Sequence, residues 1–216
     1  HGATAYPDLD TLLAESDAEA VVNLTIHDAH APVTRRCLDA GRHVFSEKPL
    51  ALEAAPAADL VDRAAAQGLR LAGAPISPMA DAQRLAARYL RDERCGRLRM
   101  VYAPCNLGRL TEWNANPEPF LRIGPLFDGA VYPLTVLTRL LGPVRRVVRA
   151  HQALLLDTHT HDGRRFTVET PDHTMAVLEL AEGVQVHHSS IANLLSRLGF
   201  TYKKSRWSPP NAAAPR

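Results

Sequence analysis

Cysteine is scarce in this sequence and scattered: Cys37, Cys95 and Cys105 are far apart, odd in number, and form no CxxC pair. That pattern argues against a disulfide framework or a zinc site and points to a reducing, cytoplasmic setting. An excess of one charge is lacking too. The formal net charge is +2, which argues against nucleic acid as a partner. No apolar run is long enough to span a bilayer as a helix, so no membrane partner is expected, and no secretory signal is evident. No two glycines are separated by a single residue. The G-x-G-x-x-G turn that cradles a dinucleotide pyrophosphate is therefore absent from the sequence.

What is present supports a real core: 46% of the 216 residues are hydrophobic and 22% are charged. A short helix is expected over Leu9 to Ala14. Ala20 to Thr25 reads as a buried parallel strand. A helix follows, started by Asp28 or His30, with Pro32 in its first turn and Gly41 after its last residue. His43 to Phe45 is a second strand, Glu53 to Gln67 a helix ended by Gly68, and Leu69 to Ala74 a third strand. This alternation predicts a parallel, doubly wound α/β sheet. Beyond it the pattern changes. Pro78 to Glu93 reads as an amphipathic helix, Arg97 to Ala103 as a strand and Asn106 to Gly124 as a long irregular segment. Pro125 to Leu141 reads as one helix, kinked at Pro133 and closed by Gly142. Strands follow over Val144 to Leu156, Thr174 to Leu180 and Val184 to Ile191, the last two joined by a Glu182-Gly183 turn. Hairpin-joined strands imply an antiparallel sheet. The tail, Ser205 to Arg216, lacks periodicity and reads as disordered.

The stretch His43-Val44-Phe45-Ser46-Glu47-Lys48-Pro49 stands out. A lysine just past a strand end lies where α/β sheets place their ligands. Pro49 restricts the residue before it to extended backbone, which gives Lys48 a defined direction. Lysine can lose its proton when desolvated and so can relay one. The plain alternative is a solvated loop lysine. Glu47 reads equally as a group that orients a ligand and as a surface charge. Asp128 and Tyr132 are four apart, a spacing that shares one helix face. They read as a dipole-stabilised acid and a packed tyrosine, or as a site. Asn23 to His30 leads from a strand into a helix, a geometry that turns backbone N–H groups toward an anion. His27, Asp28 and His30 are unconvincing as a metal cluster, so no metal is expected. His159-Thr160-His161-Asp162 reads as a polar turn. Ser189-Ser190 lacks a nucleophile elbow.

Together, Ala20 to Thr25, His30, Ala40 to Val44 and Glu47-Lys48-Pro49 resemble the Gfo/Idh/MocA family of NAD(P)-dependent oxidoreductases, which act mostly on sugars and polyols. The resemblance runs from about Ala5 to Ile191. It implies that Asn23, Thr25, His30, Glu47 and Lys48 lie on the cofactor side, with NAD or NADP as the cofactor. It also implies that Lys48, Asp128 and Tyr132 are catalytic, Asp128 and Tyr132 matching the aspartate and the His/Tyr position of the family's second-domain helix. A tyrosine acting on a proton needs a neighbouring cation such as Lys48. The family's glycine-rich motif lies in two β–α units ahead of the point matched by His1, roughly 60 residues at about 30 per unit. The chain is therefore expected to be a fragment.

The expected fold is α/β: a partial Rossmann-type parallel sheet followed by an α+β domain with an open antiparallel sheet. Residues 1–75 would be the C-terminal half of a dinucleotide-binding domain. Residues 76–204 would form a substrate and dimerisation domain, and residues 205–216 a disordered tail. The expected activity is hydride transfer between NAD(P) and a sugar or polyol-like substrate, in a protein that is a homo-oligomer in its full-length form. The alternative is a non-catalytic truncated product or dimerisation module.

Overall fold

The computed structural model describes residues 2–92, 96, 98–181 and 185–187. Its first half is built on a parallel sheet of β1 (Ala20–Asn23), β2 (His43–Ser46) and β3 (Leu71–Gly73), in that order. The connecting helices are α2 (His27–Asp39) and α3 (Ala54–Ala66), preceded by α1 (Leu9–Glu15). Asp8 caps α1 by accepting a 2.8 Å bond from the Thr11 N–H. Both long helices end in the same way. Gly41 and Gly68 take positive φ, and the residue after each bonds back to the carbonyl five positions earlier: Arg42 N–H to Cys37 and Leu69 N–H to Ala64. This six-residue closure satisfies carbonyls that the helix leaves orphaned, and glycine is the residue that reaches it without strain.

Sequential strand order with one crossover hand puts α2 and α3 on the same side of the sheet. Cys37, Leu38, Val44, Leu60 and Ala64 form the core there, joined by Leu9, Leu13, Val21 and Leu71. The opposite face starts with Val22, which is 61% exposed. The doubly wound sheet expected from the alternation is thus covered on one face only among the described residues. Helix α2 also starts earlier than expected, at His27, so Pro32 lies inside it rather than in its first turn.

The second half contains a short 3-10 turn (Ser77–Met79), α4 (Asp81–Arg91), β4 (Met100–Tyr102), α5 (Leu110–Trp113), α6 (Glu118–Asp128) and α7 (Val131–Leu141). Strands β5 (Val144–Ala153), β6 (Thr158–His161), β7 (Arg164–Thr167), β8 (His173–Leu180) and β9 (Gln185–His187) follow. The larger sheet runs β4-β9-β8-β5 and is mixed: β9 pairs antiparallel with β8 but parallel with β4. The hairpin-joined strands pair antiparallel as expected, and β4, which the sequence did not assign to that sheet, joins β9 in parallel. Helix α7 packs Leu137 and Leu141 on Val101, Ala103 and Leu180 of that sheet.

Three further expectations are corrected. The segment before Gly124 is not irregular: it holds α5 and most of α6, with Pro117 and Pro119 tolerated because a helix's first N–H groups have no partner anyway. The single helix over Pro125 to Leu141 is two, divided at Gly129-Ala130 rather than kinked at Pro133, which falls in the first turn of α7. His159 to His161 lie on β6, and the turn is Asp162-Gly163, both at positive φ. The Glu182-Gly183 turn, Cys95, His188, Ser189-Ser190 and the tail lie outside the described residues.

Gly124 interrupts α6 at φ 73°, and a Cβ there would sit 2.7 Å from Thr170 Cγ2 and 2.9 Å from the Pro171 carbonyl oxygen. Gly163 has φ 75° but open space around it. Alanine at either site carries a positive-φ penalty of about 1–3 kcal/mol; only at Gly124 does it also clash. Urea unfolding of Gly124→Ala is therefore expected to show a clearly larger loss of stability than Gly163→Ala. Equal losses would contradict the packing described around Gly124.

Candidate functional site

The carboxyl ends of β1 and β2 meet at Asn23, which is 2% exposed. Its amide nitrogen donates to the His30 carbonyl (3.0 Å) and to Thr34 Oγ1 (3.1 Å). Its Oδ1 accepts from Thr25 N–H (3.2 Å) and Thr25 Oγ1 (2.7 Å). Its backbone carbonyl accepts the Glu47 N–H at 2.9 Å, which ties the end of β1 to the loop after β2. His30 is 1% exposed, with Nδ1 2.7 Å from the Pro49 carbonyl and Nε2 2.9 Å from that of Thr25. Asn23 and His30 thus spend their polar side-chain atoms on the chain itself. Thr25 is exposed and Glu47 half-buried, with Glu47 Oε2 accepting the Lys48 N–H at 3.0 Å.

From this loop Lys48 crosses to the second half of the molecule. Its Nζ donates to Asp128 Oδ1 at 2.5 Å and to the Asp128 carbonyl at 2.9 Å. The two side chains are only 12% and 7% exposed. Asp128 is the last residue of α6, so the ammonium satisfies one of the carbonyls that a helix end leaves open, at the end where a cation is favoured. The Tyr132 ring centroid lies 5.2 Å from the same Nζ, and Tyr132 is 42% exposed. Asp128 and Tyr132 do not share one helix face, as their spacing suggested: one ends α6 and the other begins α7. The break at Gly129-Ala130 still brings both to Lys48. An ammonium has three N–H donors. Two are used on Asp128, which leaves one without a partner among the described residues.

Two residues that sequence reasoning passed over border this cluster. His27, at the start of α2, is 7% exposed and sets its ring edge-on to Phe120 at 4.7 Å and to His30 at 5.9 Å. Its position three residues before His30 on one helix was the available signal. Cys105 has its Sγ within 2.9 Å of where a Cβ on Gly129 would stand. Burial pushes its thiol pKa up, and the Asp128 carboxylate adds to this while Lys48 opposes it. A cavity of about 540 Å³ lies beside the site, lined by Ile26, His27, Leu52, Phe127 and Thr170 among others. A larger one, about 1100 Å³, runs from Cys105, Pro125 and Ala130 to β5 and β8. Lys48, Asp128 and Tyr132 line neither; their convergence is by direct contact. Among the described residues no three His, Cys, Asp or Glu side chains are grouped to hold a metal. No helix of the described residues is long and apolar enough to cross a membrane.

Burial lowers the His27 pKa below its ordinary value; Asp128 works against burial, while His30 and Lys48 add to it. Above about pH 6.5 the ring is neutral in both folded and unfolded chains. As pH falls, the unfolded chain binds the proton first, and stability drops as pH passes through the lowered folded value. Between pH 7 and pH 5 the urea midpoint is expected to fall further for the native chain than for His27→Phe. Parallel falls would contradict this role for the ring.

Comparison with known proteins places this geometry. Residues 1–74 match the model of the oxidoreductase family with an NAD-binding Rossmann fold, and residues 83–197 match the Gfo/Idh/MocA C-terminal domain. A dTDP-3,4-didehydro-2,6-dideoxy-alpha-D-glucose 3-reductase of Streptomyces violaceoruber is 34% identical over 68% of this chain and 43% of its own length. The protein of the same name from Streptomyces antibioticus is 28% identical over 100% of this chain and 65% of its own. The chain therefore spans between 43% and 65% of the length of these two relatives. Among solved structures, the WlbA dehydrogenase of Bordetella pertussis, in complex with NADH and UDP-GlcNAcA, superposes with a TM-score of 0.72 at 25% identity, covering 87% of this chain and 52% of that one. With both halves matched in order, the parallel-sheet unit and the mixed-sheet unit alike, the chain belongs to the Gfo/Idh/MocA oxidoreductase family.

Proposed function

We propose that this chain carries the substrate end of an NAD(P)-dependent oxidoreductase that interconverts a hydroxyl and a carbonyl on a sugar or polyol-like molecule. One observation carries the proposal: the Lys48 ammonium, at the carboxyl end of the parallel sheet, is held 2.5 Å from the Asp128 carboxylate of the second half. Relatives named as deoxysugar reductases and inositol dehydrogenases support the substrate class.

Residues 1–75 serve as the C-terminal half of the dinucleotide domain and residues 76–204 as the substrate and dimerisation domain. The bound dinucleotide supplies the hydride acceptor or donor. Thr25, Glu47 and Lys48 face its reactive end. Asn23 and His30 serve it through the backbone they hold, since their own polar atoms are engaged. The donor that Lys48 has left binds the substrate oxygen. Asp128 fixes the ammonium and positions the hydroxyl. Tyr132, beside the cation, takes or returns the proton with Lys48. The protein works in the cytoplasm as a homo-oligomer.

A second reading, a dimerisation module without catalysis, is favoured by one fact: the sequence contains no G-x-G-x-x-G turn. Titration with NADH and NADPH, followed by nicotinamide fluorescence, tests this chain by itself. Weak or no binding is expected of a fragment without the glycine turn, and tight binding by this chain alone would contradict the fragment reading and count against the module.

In the full-length protein, Lys48→Met is expected to lower turnover by about 10²–10⁴-fold, the usual worth of a positioned acid–base group. Tyr132→Phe should lower it less if the two share the proton. Unchanged turnover in Lys48→Met, with the fold intact by circular dichroism, would refute the assignment.

A further inference from the structure

We infer that His30 is a positioning residue for Lys48: its buried ring spans the carbonyls of Thr25 and Pro49 and so sets the direction in which the lysine side chain leaves the backbone. The inference rests on Lys48 being the reactive group proposed above.

The geometry is that of a strut. Nδ1 lies 2.7 Å from the Pro49 oxygen and Nε2 lies 2.9 Å from the Thr25 oxygen, in a residue 1% exposed. Pro49 follows Lys48 directly, so the ring grips the Pro49–Leu50 peptide, one unit beyond the lysine, and the proline's fixed φ carries that hold back to Lys48. The other end of the strut is fixed as well. Thr25 is held through both its N–H and its hydroxyl by Asn23 Oδ1, and Asn23 in turn holds the His30 carbonyl and Thr34. Thr34 is fully buried and lies one helical turn beyond His30 on α2. The result is a closed set of hydrogen bonds joining the end of β1, the first turns of α2 and the loop after β2. A ring with both nitrogens spent in this way offers no polar atom to a ligand. It acts through the carbonyls it holds. A neutral imidazole donates its single N–H to one of these carbonyls and packs its other nitrogen against the second; a carboxamide in its place can also donate to one but lacks the rigid ring that spans the two, and an aliphatic side chain donates to neither.

Lys48 is one of three lysines in the sequence, with Lys203 and Lys204, so its reactivity can be read separately by peptide mass spectrometry. Acetic anhydride acylates the free amine, and a lysine held in an ion pair reacts slowly. In the chain without cofactor or substrate, the Lys48 acetylation rate relative to Lys203 and Lys204 is expected to rise at least fivefold in His30→Leu and by a smaller factor in His30→Gln. Leu180→Ala, a change in the separate core cluster of the second half, should leave the ratio within twofold while lowering stability. An unchanged ratio in the His30 variants, or an equal rise in Leu180→Ala, would overturn the inference. Should His30→Leu not fold, nitrogen NMR of the native ring decides. A slowly exchanging ring N–H is expected, and a ring whose protons exchange freely with water would refute the strut. Because the labelling needs no turnover, its outcome stands apart from that of Lys48→Met.

Discussion

The Lys48 ammonium and the Asp128 carboxylate are 80 positions apart in the chain and 2.5 Å apart in space, with little water around either. A buried ion pair of this kind is a constraint before it is a source of stability. Desolvating two charges costs several kcal/mol per ion and is offset only when the geometry is close and the remaining hydrogen-bonding capacity is used. Here Asp128 contributes its carboxylate and its helix-end carbonyl to one cation. Losing either partner leaves the other charged, buried and alone. The parallel-sheet half and the mixed-sheet half are therefore tied by charge at this point, beside the His27–Phe120 ring contact, and the candidate chemistry sits on the tie.

Behind the ion pair stands a second layer that holds no ligand and carries no net reaction. Asn23, Thr25, His30 and Thr34 satisfy one another and the backbone so fully that the turns after β1 and β2 have little freedom to move separately. Catalytic groups lose orders of magnitude in rate when displaced by about 1 Å, which gives such a layer its physical reason. It also explains why polar residues are accepted in places that could have been apolar: the Asn23 carboxamide is partnered at both ends, and the His30 ring N–H has a carbonyl to donate to.

Much of this was legible in the residues, for identifiable reasons. Gly41 and Gly68 mark helix ends because the closures there need positive φ. Lys48 was legible because a β-rich run ends just before it and a proline follows. Asp128 and Tyr132 were found as a pair but for a partly mistaken reason, since the helix thought to carry both is broken between them. Proline at 117 and 119 disguised the start of α6, because each reads as a breaker unless it is known to fall at a helix start, and Pro125 reads as the opening of a new helix rather than as part of α6. The β6–β7 hairpin carries an Asp-Gly turn signal at Asp162-Gly163 that was there to be read. The parallel pairing of β4 with β9 had no local signal at all; it depends on a strand 85 residues further along, at Gln185, joining from the other side. The i, i+3 spacing of His27 and His30 was a signal in the sequence, whereas Cys105 reaches the site only through tertiary packing, which no spacing rule displays.

The most direct test of the tie between the two halves is a double-mutant cycle on Lys48→Met and Asp128→Asn, followed by urea unfolding at neutral pH. Contacting groups in one buried pair show coupling, and about 1–3 kcal/mol is expected here. Single losses that add to within about 0.5 kcal/mol would mean that the two side chains do not meet in solution, and the account built on their meeting would be contradicted.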